Sequence, residues 1–151
     1  MDLDAIRDLM STVRDNGTEL GTESPATDDQ IATLESLLGV TLPADYRVFL
    51  TQFGAMWSDE STISGVMSSD PMAQELGSTY CDTQRYRDDF SMPHHLVVVQ
   101  PNEDAPHCID TSANGSPVVC FQLNTGTYQT VAKSFGEFLT DWFLKPLSTS
   151  A

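Results

Sequence analysis

Histidine and cysteine are the residue types in this sequence whose positions first suggest chemistry. They occur as two adjacent pairs, His94-His95 and His107-Cys108, and Asp110 follows the second pair. Adjacent residues on a strand point to opposite faces, so neither pair can bind a metal ion as a unit there. The HExxH, CxxC and EF-hand spacings do not occur. We therefore expect no bound metal.

A nucleophilic cysteine needs a base and an orienting acid, which usually come from separate elements of a fold. Cys108, His107 and Asp110 lie too close together along the chain to converge in this way. Glycine-rich phosphate loops of the forms GxGxxG and GxxxxGK are absent, and the carboxylates are too numerous to single out a catalytic pair. We expect no catalytic residue, no cofactor and no enzymatic activity.

Cysteine usage and the N-terminus both bear on location. Cys81, Cys108 and Cys120 form no CxxC pair and cannot all be joined in disulfides within one chain, which fits reduced thiols in a cytosolic protein. The acidic N-terminal stretch lacks the basic region of a signal peptide. No run of eighteen apolar residues is present to span a membrane. We expect a cytoplasmic protein.

Charge is the strongest feature of the composition. The 151 residues include 22 acidic and 7 basic ones, for a net charge of −15. Residues 1–104 carry 19 of the acids and five of the bases, so the rest of the chain is nearly neutral. This balance disfavours nucleic-acid binding, which needs Lys and Arg for the phosphates. An acidic field instead attracts a basic protein partner; the alternative is that the charge serves solubility alone.

Two helices between Thr27 and Gly54 are the clearest elements in the sequence. Thr27 and Gln30 form a capping box for the first helix, and Gly39 ends it in a left-handed conformation. Pro43 stands where the second helix begins, and Gly54 closes it. The inward apolar residues recur with helical spacing: Ile31, Leu34 and Leu38 in the first helix, and Tyr46, Phe49, Leu50 and Phe53 in the second.

This stretch resembles the opening motif of the SUKH superfamily. The resemblance rests on the run 31–50, with Leu-Gly at 38–39, Leu-Pro at 42–43 and Asp-Tyr-Arg at 45–47, followed by Gly54. The superfamily includes bacterial immunity proteins, Syd-like proteins and a fungal cell-wall-assembly regulator family. Many members end the second helix with an Asn-Gly-Gly-like sequence, where this chain has Phe-Gly-Ala.

Weaker patterns surround the hairpin. A first helix contains Leu3, Ile6, Met10 and Val13, and a loop follows at 17–26. A short strand is expected at 63–67, and short helices are expected at 71–76 and 83–90. A local ion-pair cluster is predicted around the second of these helices, where Arg85 and Arg87 stand among Asp82, Asp88 and Asp89.

The second half of the chain changes to the period of strands. Four runs at 96–100, 108–111, 118–123 and 128–131 are joined by turns at Asn114-Gly115 and Thr125-Gly126. Ser134 with Glu137 forms a capping box for a last helix, which Pro146 ends. That helix directs four side chains inward: Phe135, Phe138, Leu139 and Trp142.

The elements together predict an α+β fold. N-terminal helices precede an antiparallel β-meander of about four to six strands, and a C-terminal helix packs on one face. The length is that of a single domain covering residues 1–151. The same order occurs in the SUKH superfamily, and Ser-Phe-Gly-Glu-Phe-Leu at 134–139 resembles the start of the final helix of its members. The resemblance covers roughly residues 27–145.

The resemblance implies a cytoplasmic immunity protein. Such a protein binds and neutralises the cognate toxin domain of a polymorphic toxin system, and a basic nuclease or deaminase is the expected type of toxin. The alternative is a non-catalytic regulatory scaffold like the fungal branch, whose members usually have long flanking disordered regions. An enzyme of unknown type is a third possibility. Nothing in the sequence specifies the identity of the toxin or the oligomeric state.

Two loops supply the candidate partner-binding residues. Trp57, Asp59 and Glu60 follow the helical hairpin, and Asn102, Glu103 and Asp104 lie between two predicted strands. An aromatic anchor with acids around it suits a basic protein partner. The alternative for Trp57 is an aromatic ring packed at the edge of the core, under the second helix. The alternative for Glu103 and Asp104 is a solvated turn.

Overall fold

The computed structural model of the chain describes residues 1–149 and has the predicted α+β architecture. Within those residues, no helix is both long and apolar enough to cross a membrane. The helices are α1 (Leu3–Asp15), α2 (Asp28–Leu38), α3 (Ala44–Phe53), α4 (Thr79–Phe90), α5 (Phe135–Phe138) and α6 (Lys145–Ser148). The strands are β1 (Leu20–Thr22), β2 (Met56–Ser58), β3 (Thr62–Ile63), β4 (Leu96–Gln100), β5 (His107–Asp110), β6 (Val118–Phe121) and β7 (Tyr128–Ala132).

The α2–α3 hairpin confirms the clearest sequence prediction. The Thr27 hydroxyl accepts the backbone N–H of Gln30 at 3.1 Å, and the Gln30 side chain accepts the Thr27 N–H at 3.0 Å. Gly39 ends α2 with a φ of 71°, which glycine adopts without steric conflict. Pro43 caps α3 one residue before the helix begins. The apolar stripes are fully buried and include Leu34, Leu38, Tyr46, Phe49 and Leu50.

Strands β4 to β7 form an antiparallel meander in chain order, as predicted. Gly115 and Gly126 have positive φ values in the turns at Asn114-Gly115 and Thr125-Gly126. The β5–β6 connection is longer than the two-residue hairpin that Asn114-Gly115 favours. Pro117 precedes β6 and has no N–H to extend the ladder, although its carbonyl accepts the Asp110 N–H.

A second, three-stranded antiparallel sheet has the order β1-β2-β3. Its first strand lies in the segment 17–26, so the prediction of a continuous loop there was wrong. The strand escaped notice because it is only three residues long and has no alternating pattern. Strand β3 also stops at Ile63, earlier than predicted, and Gly65 instead forms an isolated parallel bridge with Ser78.

Both faces of the four-stranded sheet are covered. Val97, Val99 and Ile109 face the main core, which the helices α1, α2, α3 and α5 share. The alternate residues of the same strands form a second apolar cluster with Tyr86 of α4 and with Met92. Besides the C-terminal helix expected on one face, α4 therefore packs on the other. Four successive residues of β4 are buried as a result: Leu96, Val97, Val98 and Val99.

The segment 70–90 differs most from its prediction. No helix forms at 71–76, because Asp70 holds a turn instead: its carboxylate accepts the Met72 N–H at 2.9 Å and its carbonyl accepts the Ala73 N–H. The predicted helix at 83–90 is present but begins earlier, where Ser78 caps α4. Of the predicted ion-pair cluster, Arg85 is near Asp82, whereas Arg87 donates to Gln84 and to the His94 carbonyl.

The C-terminal helix begins as predicted but winds differently. Ser134 accepts the Glu137 N–H, while the Glu137 carboxylate accepts the N–H of Lys133 rather than that of Ser134. Residues 139–144 are π-helical, and the wider turn moves later residues off the original stripe. Trp142, predicted inward, is therefore 49% exposed, and Phe143 and Leu144 are buried in its place. Pro146 does not end the helix, because α6 continues to Ser148.

Candidate binding site

The two loops singled out in the sequence contribute to one cleft beside α4. The cleft has a volume of about 610 Å³ and lies among the β2–β3 turn, the α4 helix and the β4–β5 loop. We call it the α4 cleft. Its lining consists of Glu60, Ser61, Thr62, Leu76, Arg85, Tyr86, Phe90, Pro101, Asn102, Glu103 and Leu123.

The β2–β3 turn holds Glu60 at one border of the cleft. The Ser58 N–H donates to the Ser61 carbonyl at 2.8 Å, which closes the turn. The Ser58 hydroxyl accepts the N–H groups of Glu60 and Ser61, each at 3.3 Å. The turn is therefore ordered by its own polar groups, while the Glu60 side chain remains exposed.

The β4–β5 loop is ordered in a similar way by Asn102. Its side-chain oxygen accepts the N–H groups of Asp104 and Ala105, and its amide nitrogen donates to the Ala105 carbonyl at 2.6 Å. The buried Tyr86 of α4 fixes the loop from below: its hydroxyl donates to the Asn102 carbonyl at 2.7 Å and accepts the Asn102 N–H at 3.2 Å. Glu103 projects from a loop that is already in place.

Apolar side chains form the floor of the cleft. Leu76 is 63% exposed and Phe90 is 44% exposed, although both are large hydrophobic residues. Phe90 lies beside the Tyr86 ring with centroids 6.0 Å apart, and Leu123 packs against the second apolar cluster. Exposed apolar surface with a polar border is typical of interaction sites.

Arg85 is the basic residue of the cleft, and its guanidinium interacts with neighbouring groups of the same helix. Its guanidinium lies 3.8 Å from the Asp82 carboxylate and 5.0 Å from the centre of the Tyr86 ring. Asp82 is fully buried, and burial raises the pKa of its carboxyl group despite the opposing effects of its hydrogen bonds and of Arg85. Within residues 1–149, neither Glu60 nor Glu103 forms an ion pair.

A buried polar network anchors α4 behind the cleft. The second Asp82 oxygen accepts the Ser64 hydroxyl at 2.7 Å and the Gly77 N–H at 3.2 Å. The Tyr46 hydroxyl of α3 donates to the Ser64 carbonyl at 2.7 Å and lies 2.6 Å from the Thr79 hydroxyl. Burial raises the pKa of Tyr46, so the phenol stays neutral. The network joins α3, the segment after β3 and the start of α4.

Trp57 does not line the α4 cleft. It lies opposite Gly21 in the β1–β2 ladder, and its indole covers that glycine so closely that an added Cβ would clash with the ring. Trp57 is half-buried, and its ring packs on Gly21 of β1, whereas the alternative considered for it placed the ring under the second helix.

The remaining predicted residues divide between the cleft and its surroundings. Glu60, Asn102 and Glu103 line the cleft, whereas Asp59 and Asp104 are exposed next to it. Sequence reasoning missed Leu76 and Phe90. The spacing of Tyr86 and Phe90 at i and i+4 was the available signal, since such residues share a helix face.

The histidine and cysteine pairs do not form a common site. His107 binds Gln100 and packs against Phe138, and burial lowers the pKa of its imidazole. Cys108 is fully buried on the opposite face, and burial raises the pKa of its thiol. Among the described residues, no group of three or more His, Cys, Asp or Glu side chains is placed to hold a metal ion.

A family model described as SMI1-KNR4 cell-wall, SUKH_5, matches residues 6–144. The match includes every residue that lines the α4 cleft. No curated protein matches the chain.

Proposed function

The chain belongs to the SUKH superfamily, and from this membership we propose that it is a cytoplasmic immunity protein that binds and neutralises a basic toxin domain. Membership supports, in general, a function of the immunity-protein type or of the SMI1-KNR4 type. The proposal selects the first of these and adds the chemistry of the partner.

The observation that carries the proposal is the meeting of two acidic loops at one apolar cleft. Glu60 and Glu103 come from positions far apart in the sequence, yet both border the α4 cleft. Neither glutamate has a cationic partner within the described residues. Acids that border exposed apolar surface suit a partner with basic and apolar side chains.

Inhibition would be stoichiometric and non-catalytic. The net charge of −15 speeds the encounter with a basic domain over long distances. Contacts at the cleft then hold the complex and cover or distort the active site of the toxin. A toxin that grips nucleic-acid phosphates needs basic residues, which gives an acidic inhibitor a surface to bind.

A regulatory scaffold is the second candidate function, and the description of the matching family favours it. A scaffold would also bind a partner through this surface, but it would not suppress toxicity. Co-expression in a sensitive host separates the two functions: an immunity protein restores growth when the captured partner is toxic.

The test begins with a pull-down from the native host and continues with surface-plasmon kinetics on the captured domain. Asp59→Lys with Glu60→Lys should lower the on-rate more than it raises the off-rate. Asp8→Lys with Asp15→Lys is the matched control, because it makes the same charge change on two exposed acids of α1.

Salt sharpens the same measurement. The on-rate of the unaltered protein should fall steeply from about 0.1 M to 1 M salt, as the screening length drops from about 10 Å to about 3 Å. A salt-independent on-rate would show that the acidic surface does not speed association. Recovery of no protein partner would contradict the immunity function itself.

A further inference from the structure

We infer that the α4 cleft receives a segment of the toxin in which a large apolar side chain is flanked by lysine or arginine. The inference rests on the proposed function and specifies the chemistry of the partner at one site. It also assigns the anchoring role to an apolar pocket around Leu76 and Phe90 rather than to Trp57.

The apolar half of the inference follows from the floor of the cleft. Leu76 and Phe90 line the cleft and are exposed, and Leu123 and Pro101 contribute further apolar surface. The buried residues of α4 are Thr79, Asp82, Thr83 and Tyr86, so Phe90 is not among the residues that pack the helix into the fold. A partner side chain that covers Leu76 and Phe90 removes this apolar surface from water.

The basic half of the inference follows from how the charges are arranged. Arg85 is drawn towards the buried Asp82 and lies over the Tyr86 ring, so it is not paired with the glutamates at the border. Glu60 and Glu103 are left as exposed carboxylates on either loop. Lysine or arginine side chains that flank the apolar anchor would be complementary to both.

Both loops are ordered before any partner arrives, which favours specific binding. Ser58 fixes the turn that carries Glu60, and Tyr86 with Asn102 fixes the loop that carries Glu103. Little side-chain or loop ordering has to accompany complex formation, so more of the contact energy appears as affinity.

Two short synthetic peptides test the inference on the full chain. One has the sequence Lys-Lys-Leu-Phe-Lys-Lys, and the other replaces each lysine with glutamate. NMR titration of the ¹⁵N-labelled protein should show that the basic peptide binds at least about tenfold more tightly. Its shifts should centre on Glu60, Leu76, Phe90 and Glu103.

Variants then separate the cleft from general charge attraction. Leu76→Ala with Phe90→Ala should weaken binding of the basic peptide by about tenfold, because the apolar floor is lost. Trp142→Ala, which removes another exposed aromatic outside the cleft, should leave binding unchanged. Glu60→Gln with Glu103→Gln, which keeps the shape of the loops, should also weaken it. The amide spectrum of each variant checks that the fold is intact.

Three results would overturn the inference: no binding of the basic peptide, shifts spread over the whole acidic surface, or equal binding by the Leu76→Ala, Phe90→Ala variant. The toxin itself distinguishes this failure from that of the proposed function. If the Leu76→Ala, Phe90→Ala variant captures the toxin as strongly as the unaltered protein does, the immunity function stands and the cleft is excluded as the binding site. If the peptide binds at the cleft but no toxin is captured, the cleft binds as inferred and the immunity function is contradicted.

Discussion

The α2–α3 hairpin and α4 are both helical, but different kinds of side chain hold them in the fold. The buried residues of α2 and α3 are apolar or aromatic, such as Leu34 and Phe49. The buried residues of α4 are Thr79, Asp82, Thr83 and Tyr86, and all four carry polar groups. The hairpin is held by apolar burial, whereas α4 adds directed hydrogen bonds to the apolar contacts of Tyr86.

This difference determines what each helix has available for binding. Apolar burial is non-directional, and the large hydrophobic residues on the inner faces of the hairpin are used for the core. The Thr83 hydroxyl accepts the Val98 N–H of β4, and the Asp82 carboxylate accepts the Ser64 hydroxyl. These directed bonds fix the position of α4. The apolar Phe90 at the end of α4 is then free to line the cleft. The buried face of α4 therefore does not use Phe90, which stays exposed in the cleft.

Phe49→Ala is expected to have the largest effect on stability. Phe49 is fully buried and contacts the rings of Tyr46, Phe53 and Phe135. Its loss should lower the free energy of unfolding by about 3–5 kcal/mol. Urea unfolding monitored by circular dichroism measures this change. A value within about 0.5 kcal/mol would contradict the core role of the hairpin.

Thr83→Val tests the polar anchoring of α4. The Thr83 hydroxyl accepts the Val98 N–H at 3.0 Å inside the protein, and valine keeps the shape while leaving that N–H unpaired. The expected loss is about 1–3 kcal/mol. Thr33→Val on the exposed face of α2 is the matched control and should change stability by less than about 0.5 kcal/mol. Equal effects at both positions would mean that α4 is held mainly by its apolar contacts.

The same contrast explains how far the sequence could predict the structure. Apolar residues with helical spacing, together with Thr27, Gly39 and Gly54, predict the hairpin from the sequence alone. The buried face of α4 has no such pattern, because Thr79, Asp82 and Thr83 resemble surface residues in sequence. Their partners, such as Ser64 and Val98, come from other parts of the fold, and the sequence does not show which hydrogen bonds will form.

The α4 cleft could also be predicted only in part from the sequence. Sequence reasoning found the acids of both loops but did not show that Glu60 and Glu103 share a cleft. Leu76 and Phe90 were not identified, because an exposed apolar residue looks like a core residue in a sequence. Trp142 shows the same difficulty, since a π-helical stretch turned it outward.

Acidity should affect the anchoring of α4 through Asp82. Burial raises the pKa of this carboxyl group, so the folded protein binds the proton more strongly than the unfolded chain does. The contribution of Asp82 to stability is therefore complete at low pH and falls as pH rises from about 4 through the raised folded value. Asp82→Asn does not titrate at this position. The stability of the unaltered protein relative to Asp82→Asn should fall over this range in urea unfolding series, and a constant difference would exclude a raised pKa.

The last comparison is between leucine to alanine substitutions in the α2–α3 hairpin and in the α4 cleft. The change in stability at the cleft leucine is expected to be the smallest, and it is the informative one. Leu38 is fully buried in the hairpin, and Leu38→Ala should cost about 2–5 kcal/mol. Leu76 is 63% exposed on the cleft floor, so Leu76→Ala should change stability by less than about 0.5 kcal/mol. Urea unfolding of both variants measures the pair under identical conditions. A loss above 1 kcal/mol at Leu76 would mean that the cleft floor supports the fold, and that any weaker binding by this variant reflects structure. A near-zero loss would leave the exposure of Leu76 without a structural reason and direct attention to the partner that covers it.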